Sequence, residues 1–196
     1  MKAFIISITV LSIAVFLITC ERADMYELAD FGPEPDDAYL FTDPITDYTG
    51  DMRSQGGPDT ICRNIYSESF SFLEKTRVRA FLSTSEFNVK DIIPKEYADI
   101  PVYGVKPDKT EAIISTSWAE LWDGNIDDYL SVAAGVASTW MSGSTSSGIK
   151  TAYTCNDWTD TAEQATYGSP SDLSSLWIDD GNNTCSSTYD IVCIAY

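Results

Sequence analysis

The chain has 196 residues, with 12 lysines and arginines against 30 aspartates and glutamates, no histidine, and a formal charge of −18. Such a balance excludes the basic face that a nucleic acid or a heparin-like polyanion requires. Without histidine there is no Ser-His or Cys-His pair and no histidine-bound metal.

From the N-terminus, Lys2 is followed by a run from Ala3 to Ile18 that is apolar except for Ser7, Thr9 and Ser12. It is shorter than the ~20 residues of a membrane-spanning helix. Leu17-Ile18-Thr19-Cys20 resembles a bacterial lipobox, although Thr19 stands where a smaller residue is usual. The expectation is a lipoprotein signal peptide over 1–19 and acylation of Cys20. A plain signal peptide or an uncleaved anchor is the alternative. Lipid attachment accounts for the odd cysteine of five, leaving Cys62, Cys155, Cys185 and Cys193 as an even set. It also implies export to a bacterial cell envelope, at the outer membrane or cell surface, with the membrane as a partner through the anchor. Residues 20–37, acidic and containing Pro33 and Pro35, read as a tether. Residues 38–196 make one domain of ordinary size.

Within that domain Ala38 to Thr42 reads as a strand and Asp47 to Asp51 as a turn-rich loop. Gly57 and Pro58 open a predicted helix to Lys75, on which Ile61, Cys62, Ile65, Tyr66, Phe70 and Leu73 share the apolar face. Val78 to Ser83 reads as a strand and Phe87 to Ile93 as a short helix stopped by Pro94. Pro101 to Val105 and Glu111 to Ser115 read as strands joined by a turn at Pro107-Asp108-Lys109. Ser117 is placed to cap a helix over Trp118 to Trp122. From Gly124 onward long Gly-, Ser-, Asn- and Asp-rich loops are expected, closed by a strand over Tyr189 to Ile194.

The run Gly50-Asp51-Met52-Arg53-Ser54-Gln55-Gly56-Gly57-Pro58-Asp59-Thr60-Ile61-Cys62 resembles the opening of the endostatin domain of collagens. Further pieces fall in that family's order: Arg79 to Ser83, Ile100-Pro101-Val102, Ser117 to Trp122, and Trp140 with Gly143. Cys155-Asn156-Asp157-Trp158 follows, then Cys185 with Tyr189 to Ile194. Bacterial envelope proteins also carry this pattern. The resemblance implies an α+β endostatin or C-type-lectin-like fold, an irregular mixed sheet with two helices and long disulfide-stapled loops. It further implies the nested pairing Cys62–Cys193 and Cys155–Cys185, where the residues alone leave the sequential pairing and a zinc site as alternatives. It places Trp118, Trp140 and Trp158 in the core. The family's zinc-binding histidines and arginine-rich face have no counterpart here.

No catalytic motif is present, and a non-enzyme is expected. Gly143-Ser144-Thr145-Ser146-Ser147-Gly148 does not fit a nucleophile elbow. Two features are candidates for binding. One is a set of acidic loops, Asp123, Asp127, Asp128, Asp157, Asp160, Asp172, Asp179 and Asp180. Of these, Asp157, Asp179 and Asp180 are the weak candidates for a calcium site, calcium being the one cofactor considered. The other is aromatic: Trp122, Trp177 and Tyr167 are free to meet a sugar or a protein. The expected function is adhesion or recognition of an unknown protein or glycan. A calcium-linked lectin, a structural envelope protein and a two-carboxylate glycosidase are the alternatives.

Overall fold

The computed structural model describes residues 34–43 and 45–196; the predicted signal segment, Cys20 and the tether up to residue 33 lie outside the described residues. The folded unit begins at Glu34, so the last residues assigned to the tether belong to it. Pro35 is buried, and Lys75 reaches back to pair with Asp36 at 2.8 Å and with Asp37. The Lys75 hydrogen bond, then its charge, holds the Asp36 carboxyl below its ordinary range. A depressed carboxyl stabilises the fold above its unfolded pKa and ceases to do so as the pH falls through its folded one. Asp36 is 85% exposed, so the effect is modest. Lys75→Met is expected to lower the melting temperature by about 2–4 °C near neutral pH. The difference should vanish at about pH 2, where the carboxylates are protonated; a shift that persists there would assign the loss to packing.

Among the described residues the architecture is mixed α+β, built on eight strands. In chain order they are β1 (Ala38–Thr42), β2 (Val78–Ala80), β3 (Val102–Val105), β4 (Glu111–Ser115), β5 (Trp140–Met141), β6 (Gln164–Gly168), β7 (Gly181–Thr184) and β8 (Val192–Ala195). Five form a sheet of order β2-β8-β1-β3-β4, in which only β1 and β3 run parallel. The order β5-β6-β7 gives a second, antiparallel sheet. Side chains alternate across a strand, and the large sheet uses that alternation to serve two cores. Leu40, Val192 and Ile194 face one cluster, with Trp118, Trp140 and Trp177. Phe41, Cys193 and Ala195 face the other, with Ile61, Cys62 and Phe70. Strand β8 is buried on both faces, as a central strand must be.

The predicted helix from Pro58 to Lys75 is not one regular helix. Helix α1 (Pro58–Ile65) continues as a π turn over Tyr66–Phe70 and a 3₁₀ turn over Ser71–Leu73. Ile65 and Phe70 are five apart, which suits the wider i→i+5 π winding and puts both in the same core. Phe70 then packs on Phe41 with ring centroids 4.6 Å apart. The chain turns away at Glu74, in the left-handed region, and the Tyr66 hydroxyl locks the exit by accepting from Lys75 N and donating to Lys75 O. The disulfide Cys62–Cys193 ties α1 to β8, and Cys155–Cys185 joins two loops beside it.

Shorter elements differ from expectation in length rather than place. The helix expected over Phe87 to Ile93 is a 3₁₀ turn at Val89–Asp91, and that over Trp118 to Trp122 is one at Glu120–Trp122. Ser117 caps the latter: its Oγ accepts from Glu120 N at 3.1 Å. The Asp47 to Asp51 segment bridges to Tyr189 and Thr159. Helix α2 (Leu130–Ala133) lies so close to β3 that a Cβ on Gly104 would sit 2.6 Å from that of Ala133. Among the described residues no helix is long and apolar enough to cross a membrane.

Candidate functional site

Three of the acids in the loops that suggested a metal, Asp123, Asp160 and Asp172, are turn formers. An aspartate Oδ1 accepts from the backbone N–H two residues on at Asp43, Asp51, Asp108, Asp123, Asp160 and Asp172, at 2.7–3.2 Å. This local closure is why aspartate favours such positions. Bonds from Ser174 hold the Asp172 carboxyl below its usual range, and the bond from Thr110 does the same for Asp108.

The structure does not bring Asp157, Asp179 and Asp180 together as a calcium site. Asp157 accepts from Ser85 N and Oγ, both at 2.5 Å, whereas Asp179 accepts from the Ser146 backbone, with burial pushing its carboxyl up. Among the described residues no three Asp, Glu, Cys or His side chains converge closely enough to hold a metal ion. The most enclosed carboxylate, Asp190, is raised by burial but occupied, accepting from Ala137 N and Ser138 N at 2.7 and 2.9 Å. It fastens a loop inside the fold.

Trp177, expected to be free for a ligand, is instead 0% exposed. Its ring stacks on Phe81 and Trp140, with centroids 6.1 and 6.0 Å away, and its carbonyl accepts the Trp140 indole N–H at 3.0 Å. Burying so large a ring outweighs the polar residues that follow it in sequence. Trp122 is half-buried, stacked on Phe81 at 6.0 Å and closed over by Gly148 and Lys90. Tyr167 is half-buried on β6, against the second core. Trp118, Trp140 and Trp158 lie in the core, between 0 and 3% exposed.

Sequence reasoning missed a cleft of about 380 Å³ at the start of α1. Its first wall is the helix entry, Gly56 to Thr60 with Arg63. Gly56 and Gly57 have φ of 84° and 89°, the left-handed region that a glycine pair enters without strain. The second wall is the loop after β2, with Thr84, Glu86 and Phe87. Thr84 Oγ1 shapes that loop by accepting from Glu86 N and Phe87 N. Leu82, Asp157 and Trp158 complete the floor.

Asp157 and Trp158 reach the cleft through an unusual backbone. Cys155, Asn156, Asp157 and Trp158 all have φ between 50° and 62°, one turn of left-handed helix. Such a turn costs roughly 1–2 kcal/mol per L-residue, and only Asn and Asp enter the region with some ease. The Cys155–Cys185 bridge holds one end, and Trp158 Nε1 donates to Ser83 O at 3.0 Å at the other. Trp158 N–H donates to Thr154 O and Thr159 N–H to Cys155 O, closing the turn.

Asp59 organises the charges of the cleft. Its Oδ1 accepts from Ala80 N at 2.9 Å and its Oδ2 from Arg79 Nε at 3.3 Å. The Arg79 guanidinium then lies over the Phe87 ring, 4.9 Å from its centroid. Arg63 donates to Thr60 Oγ1 at 3.0 Å.

A second hollow, about 450 Å³, lies between Thr42, Ile45, Glu68 and Pro107. It carries two acids and no base. No family model matches the chain, and no curated protein matches it.

Proposed function

We propose that this protein is an exported bacterial envelope lipoprotein, acylated at Cys20. In this reading it presents a non-catalytic domain of the endostatin and C-type-lectin-like kind for adhesion or macromolecular recognition. The observation that carries the reading is the cleft at the α1 entry. It is an open hollow with charged walls, held between a helix fixed by one disulfide and a left-handed turn fixed by the other. Binding sites of about 300–1,000 Å³ on rigid supports are what recognition domains use. The ordered endostatin motifs, the nested cystines and the lipobox support the family and the anchor. The chain has no histidine, and a carboxylate alone, such as Asp157 beside Ser85, is a weak base for an aliphatic hydroxyl.

The test is an array of glycans and extracellular-matrix proteins probed with the full-length acylated protein. Glu86→Trp, which fills the cleft from a side chain with no ion pair among the described residues, is the comparison. At least one ligand should bind the parent about tenfold or more tightly than the variant, equivalent to 1.4 kcal/mol. No ligand on the array, or one indifferent to Glu86→Trp, overturns the cleft as the recognition site. Failure of Cys20→Ser to abolish acyl labelling overturns the anchor.

A further inference from the structure

Five charged side chains line the α1 cleft: Arg63 and Arg79, Asp59, Glu86 and Asp157. Among the described residues they make one ion pair with each other, Arg79 to Asp59. Arg63 donates to a threonine hydroxyl and Asp157 accepts from serine donors, neutral partners that leave both charges uncompensated. Glu86 offers its carboxylate to none of the described cations at ion-pair distance. Asp59 engages only the Nε edge of Arg79, while the Phe87 ring holds the guanidinium plane. Among the described residues the two terminal nitrogens of Arg79 have no hydrogen-bond or ion-pair partner, and they form a fork suited to a carboxylate, in the side-by-side geometry that guanidinium and carboxylate share. The cleft thus shows cationic groups on the helix and β2 side, and carboxylates on the facing loop and left-handed turn.

We infer that the cleft recognises a dipolar polypeptide segment, one that gives a side-chain carboxylate to Arg79 and Arg63 and a side-chain cation to Glu86 and Asp157. The inference rests on the cleft being the recognition site and supplies the class of its ligand. A purely anionic ligand would enter a cleft with more carboxylates than guanidinium groups, on a protein of formal charge −18. A purely cationic one would leave the Arg79 fork unfilled and meet two guanidinium groups. A segment with both signs matches both walls. A sugar is disfavoured because pyranose rings stack on open aromatic faces. Here the Phe87 face is covered by Arg79, and Trp158 is 1% exposed.

The experiment is a calorimetric titration of the full-length protein with tripeptides blocked at both ends. The mixed pair is aspartyl-glycyl-lysine and lysyl-glycyl-aspartate; the controls are the diaspartyl, dilysyl and diseryl analogues and N-acetylneuraminic acid. At least one mixed peptide should bind about tenfold more tightly than every control, and the preference should shrink as salt rises. Arg79→Gln should lose the preference over the dilysyl peptide, and Glu86→Gln the preference over the diaspartyl one. Since the Glu86 side chain makes no hydrogen bond or ion pair among the described residues, Glu86→Gln remains informative if Arg79→Gln fails to fold. Equal binding of all peptides, tighter binding of a like-charged one, or binding of the sugar acid alone overturns the inference. A ligand on the array that depends on the cleft, combined with no charge preference here, removes the inference and leaves the cleft as the recognition site. An array with no cleft-dependent ligand removes both.

Discussion

Replacing Cys62 and Cys193 together by alanine is expected to lower the melting temperature by roughly 10–20 °C. The bridge spans 131 residues, and the loop-entropy model assigns such a closure about 5 kcal/mol. For a domain of this size each kcal/mol moves the midpoint by about 2–4 °C. The position adds to the effect. Cys62 is in the middle of α1 and Cys193 in the middle of β8, both 0% exposed. Removing them also empties the contact between helix and sheet. The shorter bridge, Cys155–Cys185, spans 30 residues and is worth about 3.6 kcal/mol by the same relation. Thermal melts of both double variants check the order; a larger loss from the shorter bridge would show that the left-handed turn, rather than loop closure, dominates.

Gly50→Ala should be nearly as damaging, for a steric reason. A Cβ there would stand 2.3 Å from Cys155 Sγ and 2.6 Å from Cys185 Cβ. Gly50 N–H donates to Cys185 O at 2.8 Å, so the backbone is drawn against the bridge and has no slack. Either the disulfide fails to close or the Tyr48 to Met52 segment leaves its pairing; a loss of about 3 kcal/mol is expected from overpacking of this kind. Free-thiol titration distinguishes the two routes, since a closed bridge leaves Cys155 and Cys185 unreactive. Gly57→Ala is the control. Its added Cβ meets nothing within 4 Å, so only its backbone, φ 89° and ψ 167° in a region essentially reserved for glycine, opposes the change, at about 1–3 kcal/mol. A Gly50→Ala melting temperature equal to that of the parent would refute close packing at Gly50.

The pattern of what was readable follows from range. Strands β1, β3, β4 and β8 were legible because their alternation or continuous apolarity is local, and the α1 start because Gly57-Pro58 marks it. The second sheet was not. Gly181-Asn182-Asn183-Thr184 is a poor strand former, and pairing with β6 sets its conformation. The π turn was hidden because Phe70, four residues after Tyr66, continues the apolar spacing of an ordinary α-helix, and its packing on Phe41 is not local in sequence. Four consecutive left-handed residues cannot be inferred from Cys155-Asn156-Asp157-Trp158, since they exist through the bridge and the Trp158 contact. The cleft draws on three segments far apart in the chain, so no spacing announces it. Trp177 was expected to be free because it falls outside the tryptophans that the resemblance places in the core, whereas its own ring area decided its place.

Strand β8 is the last of the eight to be made, yet it occupies the slot between β2 and β1. Until Val192 to Ala195 emerge, β2 has no strand partner, β1 has only β3, and Cys62 lacks its native mate. The large sheet therefore stays incomplete until β8 is present. A protein arranged this way folds late and slowly, since its decisive contacts are distant in sequence. Its maturation will be governed by how long a thiol at position 62 can wait without taking Cys155 or Cys185 as the wrong mate.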